Sequence, residues 1–122
     1  MGNRKPLLNY IEFAAKDLRA TQLFFEQVFQ WQFTAYGDDY IAFSAESAGL
    51  DGGFYRADQC AKQDQGSALM VLISDDLDKA QADIVEAGGK IIVPTFEFPG
   101  GKRFHFTEPS GNELAVWSDI HN

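Results

Sequence analysis

The sequence has little cysteine, few basic residues and no long apolar run, and each shortage excludes a class of protein. Its single cysteine, Cys60, cannot form an intrachain disulfide. Eighteen acidic residues against ten basic ones give a net charge of −8, so no basic stripe is available to bind a phosphate backbone. No apolar run approaches the roughly 18 residues that a membrane span needs. We therefore expect a cytoplasmic protein that binds neither nucleic acid nor membrane.

Apolar and aromatic residues are abundant by contrast. They make up 45% and 14% of the 122 residues, and eleven of them are phenylalanine. This is enough apolar side chain for the core of one ordinary domain, or of two closely packed half-units. We predict a single domain over residues 1–122.

One pattern occurs twice in the chain, at an offset of 59 residues. Asp17-Leu18 and Asp76-Leu77 each follow an apolar run, and each begins a helical pattern for which an aspartate can serve as N-cap. The predicted buried helix faces are Leu18, Thr21, Phe24, Phe25 and Val28 in the first half, and Leu77, Ala80, Ile84 and Ala87 in the second. Gly88-Gly89 is expected to end the second helix.

Short runs with a period of two residues surround each helix and predict strands. These runs cover 10–14, 31–36, 40–45 and about 50–55, then 69–73, 90–98, 102–107 and 113–118. Each half is therefore predicted to be a βαβββ module, at 7–56 and 67–118, joined by a polar linker at 57–66. The predicted fold class is α+β. Because one helix cannot cover both faces of a sheet, we expect the modules to pair and form a curved mixed sheet with a concave trough for a ligand.

Several segments resemble the vicinal-oxygen-chelate superfamily, which includes glyoxalase I, extradiol dioxygenases and bleomycin-resistance proteins. They are residues 9–13 followed by Asp17-Leu18, then 24–31, 75–77, 86–89 and 106–114. The resemblance implies the glyoxalase/bleomycin-resistance fold of paired βαβββ modules. It does not fix the function, because this fold serves isomerases, oxygenases, transferases and simple binding proteins.

The resemblance also indicates where a metal would be bound. Metal-dependent members hold Zn, Ni, Mn or Fe through His or Glu on the first and last strands of each module. The corresponding positions here are Tyr10, Leu69, Ala115 and a place beside Asp51. Leucine and alanine cannot bind a metal, and three protein ligands are normally needed. We therefore predict no cofactor, with a divalent metal at a rearranged site as the alternative.

Strand alternation predicts which side chains face the trough. If Tyr10 and Ala115 face it, the other trough residues are Glu12, Arg103, His105, Glu113 and Trp117. The intervening side chains are then expected to pack under the helices: Ile11, Phe13, Phe104, Phe106, Leu114 and Val116. Because ionisable groups are costly to bury without partners, these residues predict a polar, ligand-accessible cleft.

The candidate catalytic residues are His105, Glu12 and Glu113. His105 is the trough side chain that titrates near neutral pH, which suits a general acid or base, although a strand histidine is often only hydrogen-bonded. Glu12 is expected either to contact substrate or to form an ion pair with Arg103. The candidate ligand-binding residues are Tyr10, Asp51, Arg103 and Trp117.

Two functional interpretations follow. The first is a metal-independent protein that binds and sequesters a small molecule, as bleomycin-resistance proteins do. The second is a glyoxalase-like or epimerase-like lyase or isomerase that uses Glu12, His105 or Glu113, possibly with a rearranged metal site. The residues at the inherited ligand positions favour the first. We also expect a homodimer, because relatives pair modules from two chains and exposed strand edges need cover.

Overall fold

The computed structural model describes residues 4–119 and contains two four-stranded sheets, each with one long helix. The first module comprises β1 (Ile11–Ala15), α1 (Leu18–Phe29), β2 (Phe33–Ala35), β3 (Tyr40–Phe43), the short helix α2 (Ala45–Ala48) and β4 (Gly52–Arg56). A single 3-10 turn at Gln63–Gln65 lies in the linker. The second comprises β5 (Met70–Ile73), α3 (Leu77–Glu86), β6 (Lys90–Phe98), β7 (Gly101–Thr107) and β8 (Glu113–Ser118). The predicted α+β class is confirmed.

The two sheets share one topology. Sheet A has the strand order β1-β4-β3-β2, and sheet B has the order β5-β8-β7-β6. In each sheet the first strand pairs in parallel with the last strand of its module, and the other pairs are antiparallel. The sequence repeat is therefore a repeat of structure.

The two long helices begin as the sequence predicts. The side chain of Asp17 accepts a hydrogen bond from Ala20 N, and that of Asp76 accepts one from Lys79 N. At the end of α1, Gln30 has a φ of 58°, and the N–H of Trp31 donates to the Phe25 carbonyl. This closure places Trp31 in the helix cap, so β2 is shorter than the predicted strand at 31–36.

Both helices contribute to one continuous core. Helix α1 packs against β3 and β4, α3 packs against β6, β7 and β8, and the helices contact each other. The Phe24 ring lies 5.9 Å from that of Phe106, and the Phe25 ring stacks on Trp31 at 4.6 Å. Phe104 and Phe106 are fully buried in this core, which confirms the face predicted for them. We call the opposite side of each sheet, away from its helix, its outer face.

A buried polar network also joins the modules. The Thr21 hydroxyl donates to the Glu108 carboxylate, which also accepts from the backbone N–H groups of Ser110 and Asn112. The Asn112 side chain donates to the Ala14 carbonyl at 2.8 Å. Helix α1 and strand β1 are thereby fixed to the turn between β7 and β8.

Helix α2 was not expected from the strand pattern. The predicted strand at 40–45 ends at Phe43, because Ser44 caps the helix and Gly49, with a φ of 95°, ends it.

In the part of the chain from 4 to 119, no helix is long and apolar enough to cross a membrane.

Candidate functional site

The outer face of sheet B carries four of the predicted site residues. Strand β8 alternates between core residues and Glu113, Ala115 and Trp117. In the register between β7 and β8, Arg103 pairs with Trp117 and His105 pairs with Ala115. Arg103, His105, Glu113 and Trp117 therefore share one side of the sheet.

His105 and Glu113 form a pair on this face. The Nδ1 atom of His105 lies 2.9 Å from Oε2 of Glu113, and the other carboxylate oxygen accepts from Gln63 N at 3.0 Å. The Glu113 N–H donates to the Ala61 carbonyl, so the linker lies against the start of β8. The residues are only 3% and 7% exposed. The prediction of an accessible cleft at these two side chains is therefore wrong, because the linker covers Glu113.

The charge state of Glu113 is set by its partners. Burial raises the pKa of its carboxyl group, but hydrogen bonds from His105 and Gln63, with the charges of His105 and Lys62, outweigh burial and lower the pKa overall. The carboxylate is thus the acceptor of the pair, and Nδ1 of His105 carries the proton between them. A carboxylate that fixes a histidine tautomer in this way also orients the ring, as it does in acid-base catalysis.

Arg103 is held by aromatic rings. Its guanidinium carbon lies 5.4 Å from the Phe96 ring centroid and 5.5 Å from that of Phe98, and its Nε is buried without a hydrogen-bond partner. Within residues 4–119, no ion pair joins Arg103 to Glu12. The alternative that paired these two residues is therefore wrong.

Glu12 belongs to a second cluster, on the outer face of sheet A. The Tyr40 hydroxyl donates to Glu12 Oε2 at 2.9 Å and lies 2.5 Å from the Tyr10 hydroxyl. Because the single hydroxyl proton of Tyr40 is used on Glu12, Tyr10 is the donor to Tyr40. Burial and these two hydrogen bonds raise the pKa of Tyr40, so its hydroxyl stays a proton donor.

Tyr40 was not among the site residues predicted from the sequence. The feature that could have indicated it is Gly53. Gly53 lies between Glu12 on β1 and Ala42 on β3 in the sheet register. A Cβ atom at Gly53 would run into the Tyr40 hydroxyl. Glycine at this position therefore lets the Tyr40 side chain cross the sheet to reach Glu12.

The inherited metal positions do not provide a fitting set of ligands. Asp51 uses a carboxylate oxygen to accept from Ala45 N at 2.6 Å, which caps α2, and Tyr10 is bonded to Tyr40. Leu69 and Ala115 offer only hydrocarbon. Over residues 4–119, no three His, Cys, Asp or Glu side chains are grouped closely enough to hold a metal ion. The residues present therefore do not fit the divalent metal of the superfamily.

Two open pockets flank the cluster on sheet A. One, of about 540 Å³, lies between Glu12, Tyr55 and the linker residues Cys60 and Lys62. The other, of about 600 Å³, includes Tyr10 and Asp51 in its lining. Glu12 and the rings of Tyr10 and Tyr55 are exposed to solvent.

Comparison with known proteins agrees with this architecture. Residues 7–116 match the family described as the Glyoxalase/Bleomycin resistance protein/Dioxygenase superfamily. The chain belongs to this superfamily. No curated protein sequence matches the chain.

Solved structures share the fold of this superfamily member at low sequence identity. A glyoxalase/bleomycin resistance protein/dioxygenase family enzyme from Burkholderia phytofirmans has a TM-score of 0.75 at 16% identity, over 92% of this chain and 98% of that one. The fosfomycin resistance protein FosX from Listeria monocytogenes has a TM-score of 0.75 at 17% identity, over 94% of both chains. Lactoylglutathione lyase from Agrobacterium tumefaciens has a TM-score of 0.69 at 15% identity, over 94% of this chain and 95% of that one.

The predicted site residues thus fall into two groups. Tyr10 and Glu12 lie on sheet A, whereas the other group lies on sheet B and comprises Arg103, His105, Glu113 and Trp117. Across residues 4–119, no hydrogen bond or ion pair connects the two groups. Asp51 joins neither group, because it caps α2.

Proposed function

We propose that this protein binds a small molecule on the outer faces of its sheets without a divalent metal. The observation that carries the proposal is the Tyr10–Tyr40–Glu12 cluster. It occupies the module face on which relatives place a metal ligand, and it offers phenol oxygens, ring surfaces and a carboxylate instead. Hydrogen-bonding groups beside aromatic rings are typical of small-molecule sites.

We further propose that two copies pair as a homodimer, with sheet A of one protomer beside sheet B of its partner. Sheet B exposes 46% of Val71, 72% of Ile73 and 37% of Phe96 to solvent. Val71 and Ile73 lie on the edge strand β5 and Phe96 lies on the opposite edge strand β6, and exposed apolar side chains on one face mark an interaction surface. Such pairing would remove these apolar side chains from water.

The names of the structural relatives agree with binding and with catalysis. One is a fosfomycin resistance protein and another is a lactoylglutathione lyase. The His105–Glu113 pair favours the second candidate function, proton transfer by a lyase or isomerase. Formation or breakdown of lactoylglutathione, measured with and without chelator, tests this candidate. Activity that His105→Gln abolishes would support it, and activity unchanged by that substitution would contradict it.

A fragment screen tests the proposed binding function. Chelator-treated protein is screened by ligand-observed NMR against amines, carboxylates and neutral aromatic compounds. We expect binders whose signal is lost in the Tyr10→Ala variant, because Tyr10 belongs to the exposed cluster on the outer face of sheet A. Leu23→Ala is the matched control, since Leu23 is 45% exposed but lies on helix α1. Equal loss in both variants, or no binder, would overturn the proposal.

A further inference from the structure

Sheet A carries an unusual concentration of tyrosine around one carboxylate. Tyr40 pairs with Tyr55 in the register between β3 and β4, so their side chains lie next to each other on the outer face. Tyr10 and Glu12 join them through the Tyr40 hydroxyl. We call these four residues the tyrosine–glutamate cluster.

The hydrogen bonds within the cluster leave it able to accept more. Tyr40 uses only the Oε2 atom of Glu12, and Tyr10 spends its proton on Tyr40. The remaining carboxylate oxygen and the Tyr10 oxygen are therefore acceptors without a donor in the cluster. Its exposed residues are Glu12, Tyr10 and Tyr55, the tyrosines at 44% and 39%. A ligand that donates hydrogen bonds would fit this surface.

The charge of the cluster favours a cation. A carboxylate attracts positive charge directly, and the faces of tyrosine rings attract it through the ring quadrupole. The chain as a whole carries a net charge of −8, which also raises the local concentration of cations. Lys62 lines the pocket beside Glu12, but its charge also acts on Glu113.

The glycine beneath the cluster indicates a built arrangement. A side chain at Gly53 would collide with the hydroxyl and ring of Tyr40 and with the Ile41 carbonyl. Tyr40 would then be unable to hold Glu12 in its present position. The carboxylate is thus oriented by Tyr40 and is not a freely rotating surface group.

We infer that the tyrosine–glutamate cluster binds a small organic ammonium ion, whose N–H groups donate to Glu12 and whose carbon atoms lie against Tyr10 and Tyr55. This inference rests on the proposed function and names its ligand class. Glu12 supplies the charge, and Tyr40 is a positioning residue that acts through Glu12.

Three probes of nearly equal size and shape test the ligand class. They are 2-phenylethylamine, 2-phenylethanol and phenylacetate, which are positive, neutral and negative at pH 7. Each is titrated into the full chain and followed by backbone amide NMR. We expect the amine to bind at least tenfold more tightly than the other two, with shifts centred on Glu12 and Gly53.

Variants then test the residues. Glu12→Gln should weaken amine binding about tenfold, the loss expected for a hydrogen bond to a charged group. Tyr40→Phe should weaken amine binding less than Glu12→Gln does. It should also reduce the preference for the amine over the alcohol. Glu86→Gln is the matched control, because it removes one exposed charge on α3 and should leave binding unchanged.

Three results would overturn the inference. They are failure of the amine to bind, binding of phenylacetate as tightly as the amine, and equal weakening by Glu12→Gln and Glu86→Gln. If the alcohol or phenylacetate binds on an outer sheet face while the amine does not, the ligand class is wrong but the proposed binding function stands. If none of the three probes binds and the fragment screen yields no binder, both the ligand class and the proposed binding function are wrong.

Discussion

The Nδ1 atom of His105 lies 2.9 Å from Oε2 of Glu113, and both side chains are more than nine-tenths buried. A buried carboxylate requires such a partner, because desolvation of an unpaired charge is costly. The pair also fixes the linker, since Gln63 N donates to the same carboxylate. A candidate acid-base pair is therefore part of the contact that fixes the linker to the second module.

Replacing Glu113 by glutamine should cost stability. We expect Glu113→Gln to lower the free energy of unfolding by about 1–3 kcal/mol, because His105 and Gln63 lose a charged acceptor. Glu86→Gln, which changes an exposed carboxylate, should stay within about 0.5 kcal/mol of the parent. Urea denaturation of the three proteins measures the difference. An unchanged midpoint for Glu113→Gln would show that the pair adds nothing to stability.

The stabilisation by Glu113 should depend on pH. Its pKa in the folded protein is lowered, so the carboxylate stabilises the fold above the ordinary glutamate pKa of about 4.3. That contribution is lost as pH falls through the lowered value. The gap in unfolding free energy between the parent and Glu113→Gln should therefore shrink as the pH falls below about 4. A gap that widens between about pH 4 and about pH 3 would contradict the direction of the shift.

The Thr21–Glu108 hydrogen bond should couple the two modules energetically. The hydroxyl of Thr21 and the Glu108 carboxylate are both buried, and they belong to different modules. A double-mutant cycle with Thr21→Val and Glu108→Gln is expected to give an interaction energy of about 0.5–3 kcal/mol. Chemical denaturation of the four proteins supplies it. Strictly additive effects would mean that the contact is energetically neutral.

Association should depend on the exposed apolar residues of sheet B. Sedimentation equilibrium at micromolar concentration is expected to give twice the 13.6 kDa of one chain. Ile73→Glu should shift this mass towards the monomer, because it places a charge on a surface that the dimer covers. The control is Val85→Glu, since Val85 is 57% exposed on α3. A monomeric parent protein, or equal effects of the two variants, would count against the proposed pairing.

Most of the fold was accessible from the sequence, because local rules dominate it. The caps at Asp17 and Asp76 and the alternation in β7 and β8 depend on neighbouring residues, and the structure confirms them. The errors arose where a local rule competed with another. Trp31 completes the end of α1 instead of starting β2, and Ser44 begins a helix where alternation suggested a strand.

The site was less accessible, because its contacts span long distances in the chain. Alternation correctly placed His105 and Glu113 on the same face as Arg103. It could not show that the linker covers Glu113 or that Tyr40 reaches Glu12, which lies 28 residues away in sequence. The roles of these residues, the cytoplasmic location and the homodimer stay predictions.

Metal-independent binding on the outer sheet faces can be measured by amide NMR on chelator-treated protein. Elemental analysis first establishes that the sample contains no divalent metal, and the fragments found in the screen are then titrated. We predict shifts confined to outer-face residues such as Glu12, Gly53 and Trp117. Shifts that appear there only after Zn²⁺, Ni²⁺ or Mn²⁺ is added, or that map to the exposed surface of α1 and α3 instead, would contradict it.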